Sequence, residues 1–368
     1  YAMLFLILAV IFSLRGNIDP FEIALVIMLI YGLIGGANYL ERGAQVDQDN
    51  EMLFLISFLF LYFGYTLTKG GGQVRYKIKE DRLSFNRLDS IDFFILIAGI
   101  AFIVLDWWSI GVVPIVAGED ARYQSKPIFR LFFLFGSIVA TYVFLFKRGV
   151  ASKLFALMYF MLSILGAYRT QGFFMLGIVA FSYFDALKSI NLSRWKLVCF
   201  VLLVFIGLNG IKLYRDASQY GGIENLSYIV EDEGLPSHLV WFSPIIHTLR
   251  EGPQIFQKIR NNLVDYGYGH YFLDNILTVL PGKQEGYGMH YNRITHAVSD
   301  RTKTGTLIGA MYIDGGWIGV ILFSFVLGAI IGVHKYISRD AGRYFIYIYV
   351  VTIFAVLIHS GILCQQSH

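Results

Sequence analysis

Residues 306–334, TLIGAMYIDGGWIGVILFSFVLGAIIGVH, decide the class of this fold. The stretch is longer than the roughly 20 apolar residues an α-helix needs to cross the hydrocarbon core of a bilayer. A helix apolar on nearly every face is at home in lipid, because its backbone groups are already paired within it. Working outward, runs of the same kind lie at 20–40, 51–68, 91–110, 128–146, 153–168, 172–187, 197–213 and 344–363. A shorter apolar run at 1–14 lacks a basic leader and reads as a partial first helix rather than a signal peptide. The reading is an all-α polytopic integral membrane protein with about ten or more transmembrane helices.

Composition agrees. The chain's 368 residues are 56% hydrophobic and 15% charged, against roughly 25% charged in soluble domains. A net charge of +4, with no basic stretch carrying exposed aromatics, gives no nucleic-acid partner. Cys199 and Cys364 both lie in apolar runs without a CxxC, and read as small buried hydrophobes.

Lysine and arginine set the orientation. They crowd the connection at 69–87, then recur as Lys147, Arg148 and Lys153, as Lys188, Arg194 and Lys196, and as Lys335, Arg339 and Arg343. All four groups fall on one side, which the positive-inside rule makes cytoplasmic. The alternate connections, 41–51, 118–126 and 168–171, are acidic or mixed. Residues 214–304 therefore form one large extracytoplasmic loop between helices at 1–213 and 305–368. Within it, Ile245, Leu249, Ile255, Phe256, Ile259 and Leu263 have the spacing of an amphipathic helix lying on the membrane surface, broken near Gly252-Pro253. There is no internal repeat, and Gly70-Gly71-Gly72 lacks the spacing of a phosphate-cradling loop.

The outer side gathers Arg122, Arg169, Arg215, Arg250, Arg260, Arg293 and Arg301. Arg169 stands where two apolar runs meet with almost no loop between them, so its charge lies at the membrane edge. A charge there is costly without a partner and marks a functional position; guanidinium also captures phosphate oxygens bidentately. The plainer reading is an arginine snorkelling to headgroups. Arg250 and Arg260 suit a solvated or headgroup-facing helix face. Five histidines, His238, His247, His270, His290 and His296, fall in the long loop without HExxH spacing, so no metal and no cofactor is expected. Any one of them could take a proton from a sugar hydroxyl, although ordinary hydrogen bonding is the simpler role. Asp47-Gln48-Asp49 is a DxD that could hold a divalent ion, or simply a short acidic loop.

Three segments together resemble the Wzy-type O-antigen, or oligosaccharide repeat-unit, polymerases. They are GVVPIVAG at 111–118 followed by Ala121-Arg122-Tyr123, Tyr168-Arg169-Thr170 with GFFML at 172–176, and TGTLIG at 304–309 running into Tyr312-Ile313-Asp314-Gly315-Gly316-Trp317-Ile318-Gly319. The resemblance implies a GT-C-like glycosyltransferase of the cell inner membrane. It would take polyprenyl-pyrophosphate-linked oligosaccharides as substrates and polymerise their repeat units at the outer face of the bilayer. It also implies catalytic roles for Arg122, Arg169 and Arg215 on the departing pyrophosphate. The acceptor hydroxyl would give its proton to His290, His296, Asp274 or Glu285, or lose it late in the step. Arg250, Arg293, Arg301, Asp274 and Tyr312 are then expected to bind substrate, and a chain-length-regulating copolymerase is an expected partner.

Two other readings stand beside this one. A WaaL-type ligase would move the finished glycan onto lipid A core. A flippase would show repeated halves and polar, broken helices at midplane, whereas the polar mass here lies in one outer loop.

Overall fold

The computed structural model describes residues 19–36, 47–70, 89–114, 127–147, 149–166, 169–186, 210, 213, 243–277, 287–295, 305–338 and 341–360. Among them the elements are all helices: α1 (Pro20–Gly36), α2 (Gln48–Thr68), α3 (Ser90–Ile110), α4 (Pro127–Phe146), α5 (Val150–Leu165), α6 (Arg169–Ala186), α7 (Ser243–Asn262), α8 (His270–Leu277), α9 (Tyr287–Ile294), α10 (Thr306–Ile337) and α11 (Ala341–Ser360). Four of these are long and apolar enough to cross a membrane, within α2, α3, α4 and α10, and shorter apolar helices lie in α1, α5 and α11. The chain is a multi-pass membrane protein. The expected helix at 197–213 lies largely outside the described residues.

The helices form two compact units, 1–74 with 230–337 and 353–368, and 75–229 with 338–352. In the second unit, Tyr159 of α5 drives its ring between α3 and α4. Gly99 and Gly136 make room for it, since a Cβ at either would come within 2.2 Å of its hydroxyl. That hydroxyl donates to the Leu96 carbonyl at 2.7 Å, satisfying the one polar atom of a buried ring stacked on Phe133. At one end of this unit Lys147 reaches Asp89 at 2.7 Å. α5 ends at Leu165 and α6 begins at Arg169, so Arg169, Thr170 and Gln171, expected in the connection, belong to the helix.

In the first unit, α1 opens with a capping box. Phe21 N–H donates to Asp19 Oδ1 at 3.0 Å while Asp19 N–H donates to Glu22 Oε2 at 3.1 Å, with Pro20 at the first helical position. α2 and α10 approach backbone to backbone. Ser324, Gly328 and Gly332 recur every fourth residue on α10. A Cβ on Gly328 would stand 2.0 Å from the Leu61 carbonyl oxygen, and one on Gly332 would stand 2.7 Å from that of Tyr65. Small residues at this spacing let helices in lipid gain dispersion contacts that larger ones forbid. The Ser57 and Ser324 hydroxyls pair across the seam at 2.8 Å, and Thr68 Oγ1 donates to the Ala329 carbonyl at 2.9 Å.

Two sequence expectations change here. The run 306–334 does not form one straight spanning helix. Gly316 has φ 59° and ψ −144°, which breaks the helical path, and this region suits only glycine. The segment 306–315 folds back along the remainder: Ser324 Oγ donates to Met311 Sδ at 3.5 Å, where a continuous helix would separate their Cα atoms by about 20 Å. Residues 317–337 alone still extend about 31 Å, enough to span. The second change concerns α7. It is a single helix with Pro253 inside it, not broken there, and its apolar face packs on the protein. Phe256 and Ile259 are fully buried, and the Phe256 ring meets Phe54 and Tyr312 edge-on at 6.4 and 5.7 Å. Gly252 is required because a Cβ would strike the Tyr31 hydroxyl at 2.0 Å.

Candidate functional site

The break at Gly316 creates a chemical problem at the end of the folded-back segment. Carbonyls near a helix C-terminus lose their partners and need others. The loop 265–269 supplies them: Gly267 N–H donates to the Ile313 carbonyl at 2.8 Å, and Tyr268 N–H to the Asp314 carbonyl at 2.7 Å. Gly267 is glycine for a steric reason, since a Cβ would lie 2.3 Å from the Tyr271 ring and 2.8 Å from Asp314 Oδ1.

Asp314 itself is buried, 2% exposed. A bare carboxylate in such a place is costly unless saturated with donors. Its Oδ1 accepts from Gly269 N–H and Tyr271 N–H, each at 3.1 Å, and its Oδ2 accepts from Tyr287 O–H at 2.7 Å. The first two bonds place negative charge at the N-terminus of α8, where the helix dipole favours it. The third ties down the start of α9. One side chain thus fixes α8 and α9 to the same point.

What α8 and α9 carry is a carboxylate between two imidazoles. Asp274 Oδ2 lies 3.0 Å from His270 Nδ1 and 3.3 Å from His290 Nε2. His290 is buried with its ring 4.5 Å from that of Tyr271, whereas the side chains of Asp274 and His270 are 24% and 74% exposed. A partly exposed carboxylate beside two imidazoles can accept a proton from a hydroxyl brought to it. Tyr287, Tyr291, Ile255, Ile259, Ala310 and Ile313 form the apolar floor beneath.

A second polar cluster lies on the α7 side. Arg260 Nη2 bonds Asp47 Oδ2 and Arg260 Nη1 bonds Asp49 Oδ2, the latter at 2.8 Å. The Arg260 side chain is only 9% exposed, so the expectation of a solvated or headgroup-facing arginine is corrected. The Arg260 hydrogen bond holds the Asp47 carboxyl below its ordinary range. The DxD is therefore an arginine clamp rather than a pair of open ligands. Tyr312 hydrogen-bonds Tyr266 beside this clamp.

Of the residues singled out from sequence, His290 and Asp274 are brought together. Arg293 is exposed on α9, one turn beyond His290, and Tyr312 is buried between Phe256 and Tyr266. Arg169 opens α6 in the second unit, and Arg250 lies on α7; their side chains are outside the described set. Arg122, Arg215, Arg301 and His296 lie outside the described residues, as does Glu285. Among the described residues no group of histidine, cysteine, aspartate or glutamate could hold a metal ion. Sequence reasoning passed over Tyr287, named Asp314 only within a motif and assigned it no role, and read Arg260 as solvent- or headgroup-facing. The signal for Asp314 was present: it is the one charged residue inside the most apolar run, and such residues are functional or structural anchors by default.

A family model described as "Putative O-antigen polymerase" matches residues 2–367. No curated protein and no solved structure matches the chain.

Proposed function

This chain belongs to the O-antigen polymerase family, and from that premise we propose that it joins polyprenyl-pyrophosphate-linked oligosaccharide repeat units by glycosyl transfer at the outer face of the inner membrane. The ligase and flippase alternatives are not favoured by a match of this extent. The observation that supports a chemical role for the first unit is the approach of His290 Nε2 to Asp274 Oδ2 at 3.3 Å.

In the proposed step the acceptor sugar hydroxyl oxygen attacks the anomeric carbon of the donor glycan. The bond from that carbon to the pyrophosphate oxygen breaks, and polyprenyl pyrophosphate leaves with the electron pair. Asp274 takes the hydroxyl proton; His290, buried behind it, is a positioning residue. The leaving group is stable as an anion, so cations that steady its developing charge matter more than a general acid. Arg169, Arg122 and Arg215 are proposed for that part, with Arg293, Arg301 and Arg250 holding substrate. A chain-length-regulating copolymerase is the proposed protein partner.

The test is purified protein in lipid nanodiscs with a defined lipid-linked repeat unit, with and without chelator. A product ladder insensitive to chelator is expected, and Asp274→Asn is expected to slow it by about 100-fold or more. Full-rate polymerisation by Asp274→Asn would remove Asp274 from the mechanism.

A further inference from the structure

We propose that Tyr268, with Tyr266 at its edge, is a sugar-stacking platform for the glycan this protein handles, a proposal that rests on the polymerase reading above. Tyr268 has φ 49°. Left-handed backbone is an outlier for a bulky residue, and strain of this kind persists where the surroundings impose it and function uses it. Packing does not repay the strain here, because the side chain is 86% exposed. Glycine flanks it on both sides and would suit the conformation better, yet a large aromatic ring stands there, turned to the outside.

The ring is also held on a fixed stem. Tyr268 N–H is bonded to the Asp314 carbonyl at 2.7 Å, and the next amide, of Gly269, to the Asp314 carboxylate at 3.1 Å. The Tyr266 ring meets it edge-on at 6.4 Å and is itself packed against Tyr312. A preorganised aromatic loses little conformational entropy when it binds. Its face suits the C–H side of a pyranose ring, and a polar rim suits the hydroxyls. Exposed Asn261, Asn262, Asp265 and His270 flank Tyr268 along the chain and offer such groups, and His270 Nδ1 lies 3.0 Å from Asp274 Oδ2. Amide, carboxylate and imidazole groups of this kind, which hydrogen-bond sugar hydroxyls, favour a glycan over acyl chains as the occupant.

The experiment uses the full chain in nanodiscs and, as probe, a lipid-free two-repeat fragment of the surface polysaccharide made by the organism encoding it. Binding is read by saturation-transfer NMR, which needs no turnover. Tyr268→Ala and Tyr268→Gly are expected to weaken binding at least five-fold. Tyr268→Phe and Tyr268→Trp are expected to keep it within two-fold. Tyr268→Gly should unfold no earlier than the parent, because it relieves the backbone, so its loss of binding cannot be misfolding. Unchanged binding by Tyr268→Gly, with the parent still polymerising, overturns the platform and leaves the polymerase reading intact. Failure of the parent both to polymerise and to bind the fragment overturns both. In Tyr268→Trp, added fluorescence quenched by brominated lipid but not protected by the fragment would identify a membrane-interface aromatic and overturn the proposal.

Discussion

Tyr287 donates its hydroxyl to Asp314 across 2.7 Å, and through this bond α9 is fastened to the same carboxylate that holds the start of α8. Tyr287→Phe removes one donor and leaves Oδ2 short of a partner in a buried site, a loss of about 1.5–3 kcal/mol. Asp314→Ala strands three donors and should cost more, about 3 kcal/mol or above. Thermal unfolding of the purified variants should show this order, and equal midpoints would mean that Asp314 is not the anchor.

The break in α10 is tested by two adjacent glycines. Gly316 has φ 59°, and a Cβ there would lie 2.7 Å from the Tyr266 ring, whereas Gly315 has nothing within 4 Å. Gly316→Ala should destabilise the protein by about 1–3 kcal/mol. Gly315→Ala should be neutral or stabilise by about 0.5–1 kcal/mol. The reverse order on a melting curve would rule out the folded-back path.

The seam between α2 and α10 offers a third test. Gly328→Leu puts a branched side chain where even a Cβ would lie 2.0 Å from the Leu61 carbonyl oxygen. Loss of folded protein is expected after detergent extraction, while Val333→Leu, on an exposed face, should be tolerated. Equal yields would deny the close approach.

Arg260 and Asp47 make a pH-dependent contribution. The arginine's hydrogen bond lowers the Asp47 carboxyl in the folded chain, so the stabilisation is full above the unfolded-state value of about 3.9 and fades as pH falls through the folded one. Asp47 is 47% exposed, so solvent screening keeps the effect modest. Arg260→Ala should therefore lower the melting temperature at pH 7 and do so less at pH 3. A difference that grows on acidification would contradict the pairing.

For the second unit the decisive variants are at Arg169, the first residue of α6. Arg169→Ala and Arg169→Lys are both expected to lose long-chain product while inserting at parental levels, since lysine lacks the bidentate fork. A full ladder on a gel from Arg169→Ala would exclude it from the chemistry.

The helical class was legible in the sequence because apolar length is a bulk property that survives local irregularity; α2, α3 and α4 fall where the runs are. The fold-back at Gly316 was not legible. Gly315-Gly316 inside an apolar run has the same hydropathy whether the helix continues or reverses; the backbone of Gly316 and the contact of Met311 with Ser324 distinguish the two. The pairing of Asp274 with His290 was half legible: both were named as proton acceptors, but nothing in their spacing reveals that α8 and α9 meet. Arg260 was misread because the spacing of α7 marks an amphipathic face without saying whether lipid or protein covers it. The carboxylates that bury its guanidinium come from the distant residues Asp47 and Asp49.

The loop that seats the folded-back segment is gripped by its main chain. The amides of Gly267, Tyr268, Gly269 and Tyr271 hold residues 313 and 314, and an amide is common to every residue but proline. The exposed side chains of Tyr268 and His270 can thus be exchanged without loosening the seat. A scaffold that clamps by backbone and displays by side chain can change what it displays one letter at a time.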